Sequence, residues 1–170
     1  MNGVLPNQEI EKLIEIGSIT SGVPIDHEQI QPASLDLRLS GKAFRIRASF
    51  LPGSREKVED RLKSLKMHEI DLRDGAVLEK GCVYLVPLLE ELNLSQDIQA
   101  AANAKSSTGR LDLLTRVITN SGEEFDRVSS GYCGNLYAEI CPRSFSVLVR
   151  QGMKLNQIRF RNKNTTLNDE

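Results

Sequence analysis

KSSTGRLDLLTRVITNSGEEFDRVSSGYCGNLYAE, residues Lys105 to Glu139, joins a polar turn to a strand-like run that carries a single carboxylate. If Ser106 begins a helical turn, Ser106 and Arg110 stand four residues apart and share a face. The first backbone N–H groups of such a turn lack partners, which suits phosphate oxygens, and Lys105 adds positive charge beside them. Leu111, Leu113 and Leu114 then read as an apolar, helix-like continuation. Further on, alternation puts Leu136, Ala138 and Ile140 on one face of a strand and Asn135, Tyr137 and Glu139 on the other. This predicts a half-buried strand with an acid on its less apolar face, where acid–base chemistry has use for one. The plainer reading makes Ser106 an N-cap, Arg110 a surface arginine and Glu139 a solvated edge-strand carboxylate. On the residues alone both readings stay open.

On the N-terminal side, Asn7 is placed to cap a short helix with Ile10, Leu13 and Ile14 as its buried stripe and Gly17 at its end. Gln31-Pro32 forces an extended entry, after which Leu35, Leu37 and Leu39 alternate with Ser34, Asp36 and Arg38. Gly41 turns this strand toward a partner strand containing Phe44, Ile46 and Ala48. Ser54 to Lys66, with Val58, Leu62 and Leu65 at helical spacing, predicts a solvated amphipathic helix inserted between strands. Short strand-like segments follow around Ile70 and Leu72, at Ala76 to Leu78, Val83 to Leu88 and Ile98 to Ala102. Phe145 to Val149 and Ile158 to Phe160 supply closing strands, and Asn162 to Glu170 reads as a frayed polar tail. Many short strands separated by turn signals predict a mostly β fold, a jelly roll or distorted antiparallel barrel, with a few peripheral helices.

The length of 170 residues predicts one domain, able to bury about 70% of its unfolded surface. With 39% apolar and 26% charged residues the composition is that of an ordinary globular protein. A net charge of −1 provides no general field for nucleic acid or an anionic membrane, so a triphosphate would have to be met by local cations. Three cysteines without paired spacing argue for a reducing cytoplasm. No signal peptide pattern opens the chain, and no apolar run approaches about 18 residues.

PASLDLRL (Pro32 to Leu39), KSSTGRL (Lys105 to Leu111), GYCGNLYAE (Gly131 to Glu139) and RQGMKLNQIRF (Arg150 to Phe160) resemble, in order, the motifs of the deoxycytidine triphosphate deaminases. These belong to the trimeric dUTPase superfamily. The resemblance implies an antiparallel jelly-roll-like fold, a homotrimer or a pseudo-oligomer with a second unit, and deamination of dCTP to dUTP and ammonia. It implies that Glu139 is the general acid–base group, because water must be added to carbon 4 of cytosine, ring nitrogen 3 protonated and ammonia expelled. One carboxylate can shuttle those protons if a dry pocket makes its protonated form accessible. Ser106 would hold the water or the base, and Arg110 would orient polar groups around the reacting carbon. Lys105 and Ser107 would face phosphate, with Lys105 standing where the family commonly has Arg, a point charge in place of a bidentate grip.

By the same resemblance Asp126 would accept a hydrogen bond from the sugar 3′-hydroxyl, and Tyr132 would lie against the deoxyribose. Gln157 matches a polar position near the phosphates. Asp36 matches an acidic position that acts through water on a magnesium–phosphate complex, so Mg2+ would arrive mainly on the substrate. The segment SGEEFDRVSS is longer than the family's common form and has Ser130 where Pro is usual. Single-unit members also carry a tail that folds over the triphosphate, whereas this chain ends ten residues after Phe160. The expectation is therefore the first unit of the long, two-unit form.

Zinc deaminases require H-x-E and P-C-x-x-C. Here His27-Glu28 and His68-Glu69 lack the spacer, and Cys82, Cys133 and Cys141 never form C-x-x-C, so no protein-bound metal is expected. Two other readings remain: a dUTP diphosphatase or bifunctional enzyme giving dUMP, and a catalytically silent nucleotide-binding or trimerising unit.

Overall fold

The computed structural model describes residues 3–163. In order the chain forms α1 (Asn7–Glu15), β1 (Ile19–Ser21), a 3-10 turn (His27–Gln29), β2 (Ile30–Gln31), β3 (Ser34–Arg38), β4 (Lys42–Ile46), α2 (Val58–Leu65), β5 (Lys66–Asp71) and β6 (Ala76–Leu78). It continues through β7 (Val83–Asn93), β8 (Ile98–Ala104), α3 (Ser106–Arg110), β9 (Leu113–Thr119), β10 (Arg127–Val128), β11 (Cys133–Pro142), β12 (Val147–Val149) and β13 (Lys154–Asn162). One sheet runs β5-β4-β7-β11-β9, with β1 also on β7, and the second runs β10-β8-β13-β3-β2. A small ladder joins β12 to β6. The pairings are antiparallel. The expected mostly β, jelly-roll-like architecture is what forms, as open packed sheets rather than a closed barrel.

Local chemistry explains most boundaries. Pro6, not Asn7, is the N-cap of α1, and Asn7 is the first helical residue with no capping side chain. Gly17 ends the helix at φ +75, a conformation that L side chains rarely adopt. The run Leu111 to Leu114 is not helical: α3 stops at Arg110, and Leu113 opens β9. Asp112, at φ 49, makes the reversal between them, and the β-branched Thr115, Val117, Ile118 and Thr119 favour a strand from there. The expected pairing of β3 with the strand after Gly41 does not form. β4 crosses to the other sheet and lies between β5 and β7, while β3 pairs with β13 and β2. Alternation marked both strands correctly but contained no information on which partner each would take. Of the expected polar tail, Asn162 closes β13, and residues 164–170 lie outside the described region.

The main core lies between the two large sheets. Leu35, Leu37, Ala100, Ala102, Ile158 and Phe160 from one sheet meet Tyr84, Val86, Leu88, Leu136, Ala138 and Ile140 from the other. A second apolar cluster sits on the opposite face of the β7–β11–β9 sheet, where Val58 and Leu62 of α2 and Phe50 pack on Leu85, Ile118 and Tyr137. The sheet is therefore covered on both faces, and the amphipathic helix expected from Ser54 to Lys66 is the cover.

Burial on both faces strands charges inside. Glu90 on β7 is fully buried. Its Oε1 accepts from Arg38 Nε at 2.7 Å and from Gln29 Nε2 at 2.9 Å, and its Oε2 accepts from the Arg38 amide at 2.8 Å. Arg38 spends its remaining donors on the Pro24 and Val23 carbonyls and on Ser21 Oγ. This network ties β3, β7 and the Ser21–Gln29 segment together.

The loop before β11 is tied in the same way. Asp126, at φ 61, accepts from the Val117 amide through Oδ1 at 2.7 Å, donates its own amide to the Val117 carbonyl, and accepts from the Ala102 amide. The Tyr132 hydroxyl donates to the Asn135 carbonyl at 2.6 Å and accepts from the Asn120 amide at 3.0 Å.

Replacing Glu90 by Gln leaves the Arg38 charge buried without its counter-ion and should lower unfolding free energy by about 3–5 kcal/mol, read as a shifted midpoint in urea at unchanged slope. A second expectation concerns pH. Burial raises the Asp126 carboxyl above its ordinary 3.8, against the opposing Val117 amide and Arg116 charge. The folded state thus keeps this proton where the unfolded chain has lost it. The contribution to stability is fullest below pH 3.8 and declines as pH rises through the folded value. Asp126→Asn retains the acceptor for Val117 and should remove that decline in denaturation curves taken across the window.

Candidate active site

Glu139 sits in the middle of β11. In register it lies between Leu85 of β7 and Arg116 of β9. Its carboxylate is 2% exposed. The face shared with Tyr137 is thus not the half-solvated face that alternation suggested, because from Leu136 to Pro142 every residue of β11 is buried. A side chain that alternates away from the main core here enters the second cluster instead of water.

Arg116 is the partner that answers this burial. Its Nη2 donates to Glu139 Oε1 at 2.5 Å and to Ser49 Oγ at 3.1 Å. The guanidinium lies 3.7 Å from the centroid of the Phe125 ring, within cation–π range. Glu139 Oε2 is buried and has no hydrogen-bond partner, and neither has Arg116 Nε. A buried carboxylate with one oxygen held and the other unmatched can accept a hydrogen bond or a proton from a bound molecule. Two positions along the strand, the Tyr137 hydroxyl donates to Glu59 Oε1 of α2, and burial pushes its phenol above the ordinary value. The inserted helix therefore touches the same face of β11 that bears Glu139.

The second group of candidates gathers around α3. Lys105 is its N-cap residue, and its ammonium pairs with Asp36 Oδ2. Asp36 on β3 is 1% exposed, and its Oδ1 has no partner. Gln157 on β13 is the register partner of both Asp36 and Asn103, and its Oε1 accepts from Ser34 Oγ at 3.3 Å. Ser106, Ser107 and Arg110 are exposed on α3, and no hydrogen bond or ion pair of their side chains is present among the described residues. Thr108 between them is buried and donates to the Leu155 carbonyl, which fixes the turn.

Asp126 and Tyr132 occupy a third place, with the backbone ties described above. Both hydrogen-bonding directions of the Tyr132 hydroxyl are used, and burial pushes the phenol up to about 12. Its ring still borders a groove of about 510 Å³ lined also by Lys57, Glu59, Asn120, Cys133 and Asn135.

Within one chain Lys105, Asp36 and Gln157 are thus brought together, while Glu139 bonds to Arg116 and not to Ser106 or Arg110. Ser106 and Arg110 belong to the element that follows the β10-β8-β13-β3-β2 sheet, and Glu139 belongs to the other sheet. Arg116, Ser49, Phe125 and Glu59 were not legible as site residues. Arg116 reads as one of many strand cations until the β9–β11 register sets it opposite Glu139. Among the described residues no three His, Cys, Asp or Glu side chains converge, and Cys82, Cys133 and Cys141 are free thiols. No described helix is long and apolar enough to cross a membrane.

Residues 1–164 match the family model described as the 2′-deoxycytidine 5′-triphosphate deaminase N-terminal domain. A protein of Tropheryma whipplei named "dCTP deaminase, dUMP-forming" is 31% identical over 151 residues, 88% of this chain and 70% of its own. A protein of the same name from Beutenbergia cavernae is 28% identical over 158 residues, 92% of this chain and 78% of its own. The crystal structure of 2′-deoxycytidine 5′-triphosphate deaminase from Agrobacterium tumefaciens superposes with a TM-score of 0.93 at 53% identity, covering 98% of this chain. This chain spans half the length of that one. A match along nearly all of its length, with the PASLDLRL, KSSTGRL, GYCGNLYAE and RQGMKLNQIRF blocks in order, means that the chain belongs to the 2′-deoxycytidine 5′-triphosphate deaminase family, as its N-terminal domain.

Proposed function

We propose that this chain supplies the chemistry of a hydrolytic dCTP deaminase in which Glu139 is the general acid–base group. The observation that carries the reading is the buried Glu139, with Oε1 on Arg116 and Oε2 unmatched, in a chain of this family. Oε2 accepts a proton from the attacking water as its oxygen bonds to carbon 4 of cytosine. The proton passes to ring nitrogen 3, and a further transfer to the amino nitrogen lets the carbon–nitrogen bond break, releasing ammonia and leaving the uracil carbonyl. Every proton is accounted for by water, one carboxylate and the base, so the step needs neither zinc nor a redox partner.

Ser106 and Arg110 complete this site in the proposal, Ser106 holding the water or the base and Arg110 orienting polar groups near carbon 4. Because their side chains are exposed on α3 and unbonded among the described residues, they would meet the Glu139 of another unit. That is the support for a homotrimer or a pseudo-oligomer with a second unit. Lys105 and Ser107 are assigned to the triphosphate, with Gln157 beside them, and Tyr132 to the sugar through its ring. Asp126 is assigned to the 3′-hydroxyl through Oδ2, since Oδ1 serves Val117. Magnesium would arrive on the triphosphate. Asp36, buried under Lys105, is not positioned to hold the ion directly. Three free thiols fit work in the reducing cytoplasm.

The relatives named "dUMP-forming" favour the bifunctional version of this reading, in which dUTP goes on to dUMP and pyrophosphate. Assay of the purified chain with dCTP and Mg2+ should yield ammonia matched by uracil nucleotide, with dUMP and pyrophosphate if the second step is present. Glu139→Gln should lower ammonia release by about 10²- to 10⁴-fold while dCTP still binds. Undiminished turnover would remove Glu139 from the chemistry, and binding without any product from the unaltered chain would favour a silent nucleotide-binding unit. Sedimentation at micromolar concentration should show a trimer, and a monomer that turns over dCTP would rule out a site shared between chains.

A further inference from the structure

Outside the residues assigned so far, one cation is fastened at three points around the reacting carboxylate. We infer that Arg116 is a positioning residue that holds Glu139 in its reactive orientation and is itself held by two segments inserted into the fold. The inference rests on the proposed role of Glu139. Arg116 and Glu139 are register partners on β9 and β11, so the backbone already sets their spacing. The side-chain contacts then define direction. Nη2 fixes Oε1 at 2.5 Å, leaving Oε2 of the same carboxylate without a partner. A planar guanidinium stacked 3.7 Å from the Phe125 centroid cannot pivot freely. The same Nη2 also donates to Ser49 Oγ at 3.1 Å.

Those anchors come from different parts of the chain. Ser49 precedes α2 in the segment between β4 and β5, and Phe125 lies in the extended loop between β9 and β10. Both belong to the second apolar cluster or its border: Phe50 beside Ser49 is buried in it, and Phe125 packs against it. The two insertions, otherwise readable as surface ornament, thereby reach the acid through one arginine. Lysine in this place would keep the charge but lose the flat fork that stacks on a ring and bonds sideways at once.

The test compares the unaltered chain with Arg116→Lys, Arg116→Gln, Ser49→Ala and Phe125→Leu in dCTP turnover, dCTP binding and crystal structures. Arg116→Gln should lower kcat about 10- to 100-fold, a part of the roughly 10²- to 10⁴-fold range of acid–base catalysis, with KM changed less than about threefold. Arg116→Lys should recover part of the loss, and added guanidinium should raise the rate of Arg116→Gln but not that of the unaltered chain. Ser49→Ala and Phe125→Leu, which leave the ion pair in place, should each give a smaller fall in kcat alone. In the crystal, the Glu139 carboxylate should leave its orientation in Arg116→Gln. An unmoved carboxylate, an unchanged kcat, or a loss confined to KM would overturn the inference. Absence of ammonia from the unaltered chain would count against the proposed reaction instead, and the carboxylate's orientation in the crystals would then decide the role of Arg116.

Discussion

A charge that leaves water has to be met inside the protein, and this fold takes several carboxylates out of water at once. The β7–β11–β9 sheet is packed against the opposing sheet on one face and against α2 and its flanking residues on the other. Along β11 every residue from Leu136 to Pro142 is buried as a result. The fates of the buried acids therefore differ by how completely each is matched. Glu90 receives three hydrogen bonds from Arg38 and Gln29 and behaves as a structural rivet. Glu139 and Asp36 each have one oxygen paired with a cation and one oxygen unmatched. A fully satisfied network rigidifies, whereas an unmatched buried oxygen retains the capacity to accept a hydrogen bond.

The cover on the second face gives the inserted segment a larger part than its composition suggests. Val58 and Leu62 are the apolar stripe expected of a solvated amphipathic helix, and both are buried. Beyond packing, Glu59 accepts from Tyr137 and Ser49 accepts from Arg116, so the insertion makes one polar contact with β11 and one with β9 beside Glu139. Glu139 itself is out of water on that face, while Ser49 and Glu59 are exposed at its edge.

Local patterns in the chain proved sound where their causes are local. The strand at Ala76–Leu78, the cores of β3, β7, β8 and β13, the amphipathic α2 and the stop at Gly17 follow from alternation, helical spacing and a left-handed glycine. Ser106 to Arg110 does form one helical turn. Errors arose where a neighbour decides. Leu111 to Leu114 has helical spacing by composition, yet a reversal at Asp112 sends it into the sheet. Asn7 could cap, yet Pro6 takes that position. Separately, Tyr132 and Asp126 carry backbone ties that the sequence did not show, beside which the ring of one and one oxygen of the other stay available to a guest.

By itself the sequence determined the mostly β character, the helical insertion, the family motifs and the identity of the lone acid on its strand, since all of these reside in the order of side chains along a few residues. Tertiary structure alone decided which strands pair, that β4 leaves β3 for the other sheet, and that β11 is buried on both faces from Leu136 to Pro142. It also decided that Arg116 stands opposite Glu139 and that Ser49 and Phe125 brace it. Those facts depend on register between segments far apart in the chain. Hydrogen-bond ladders and shared burial set that register, and no residue encodes it in its immediate neighbours.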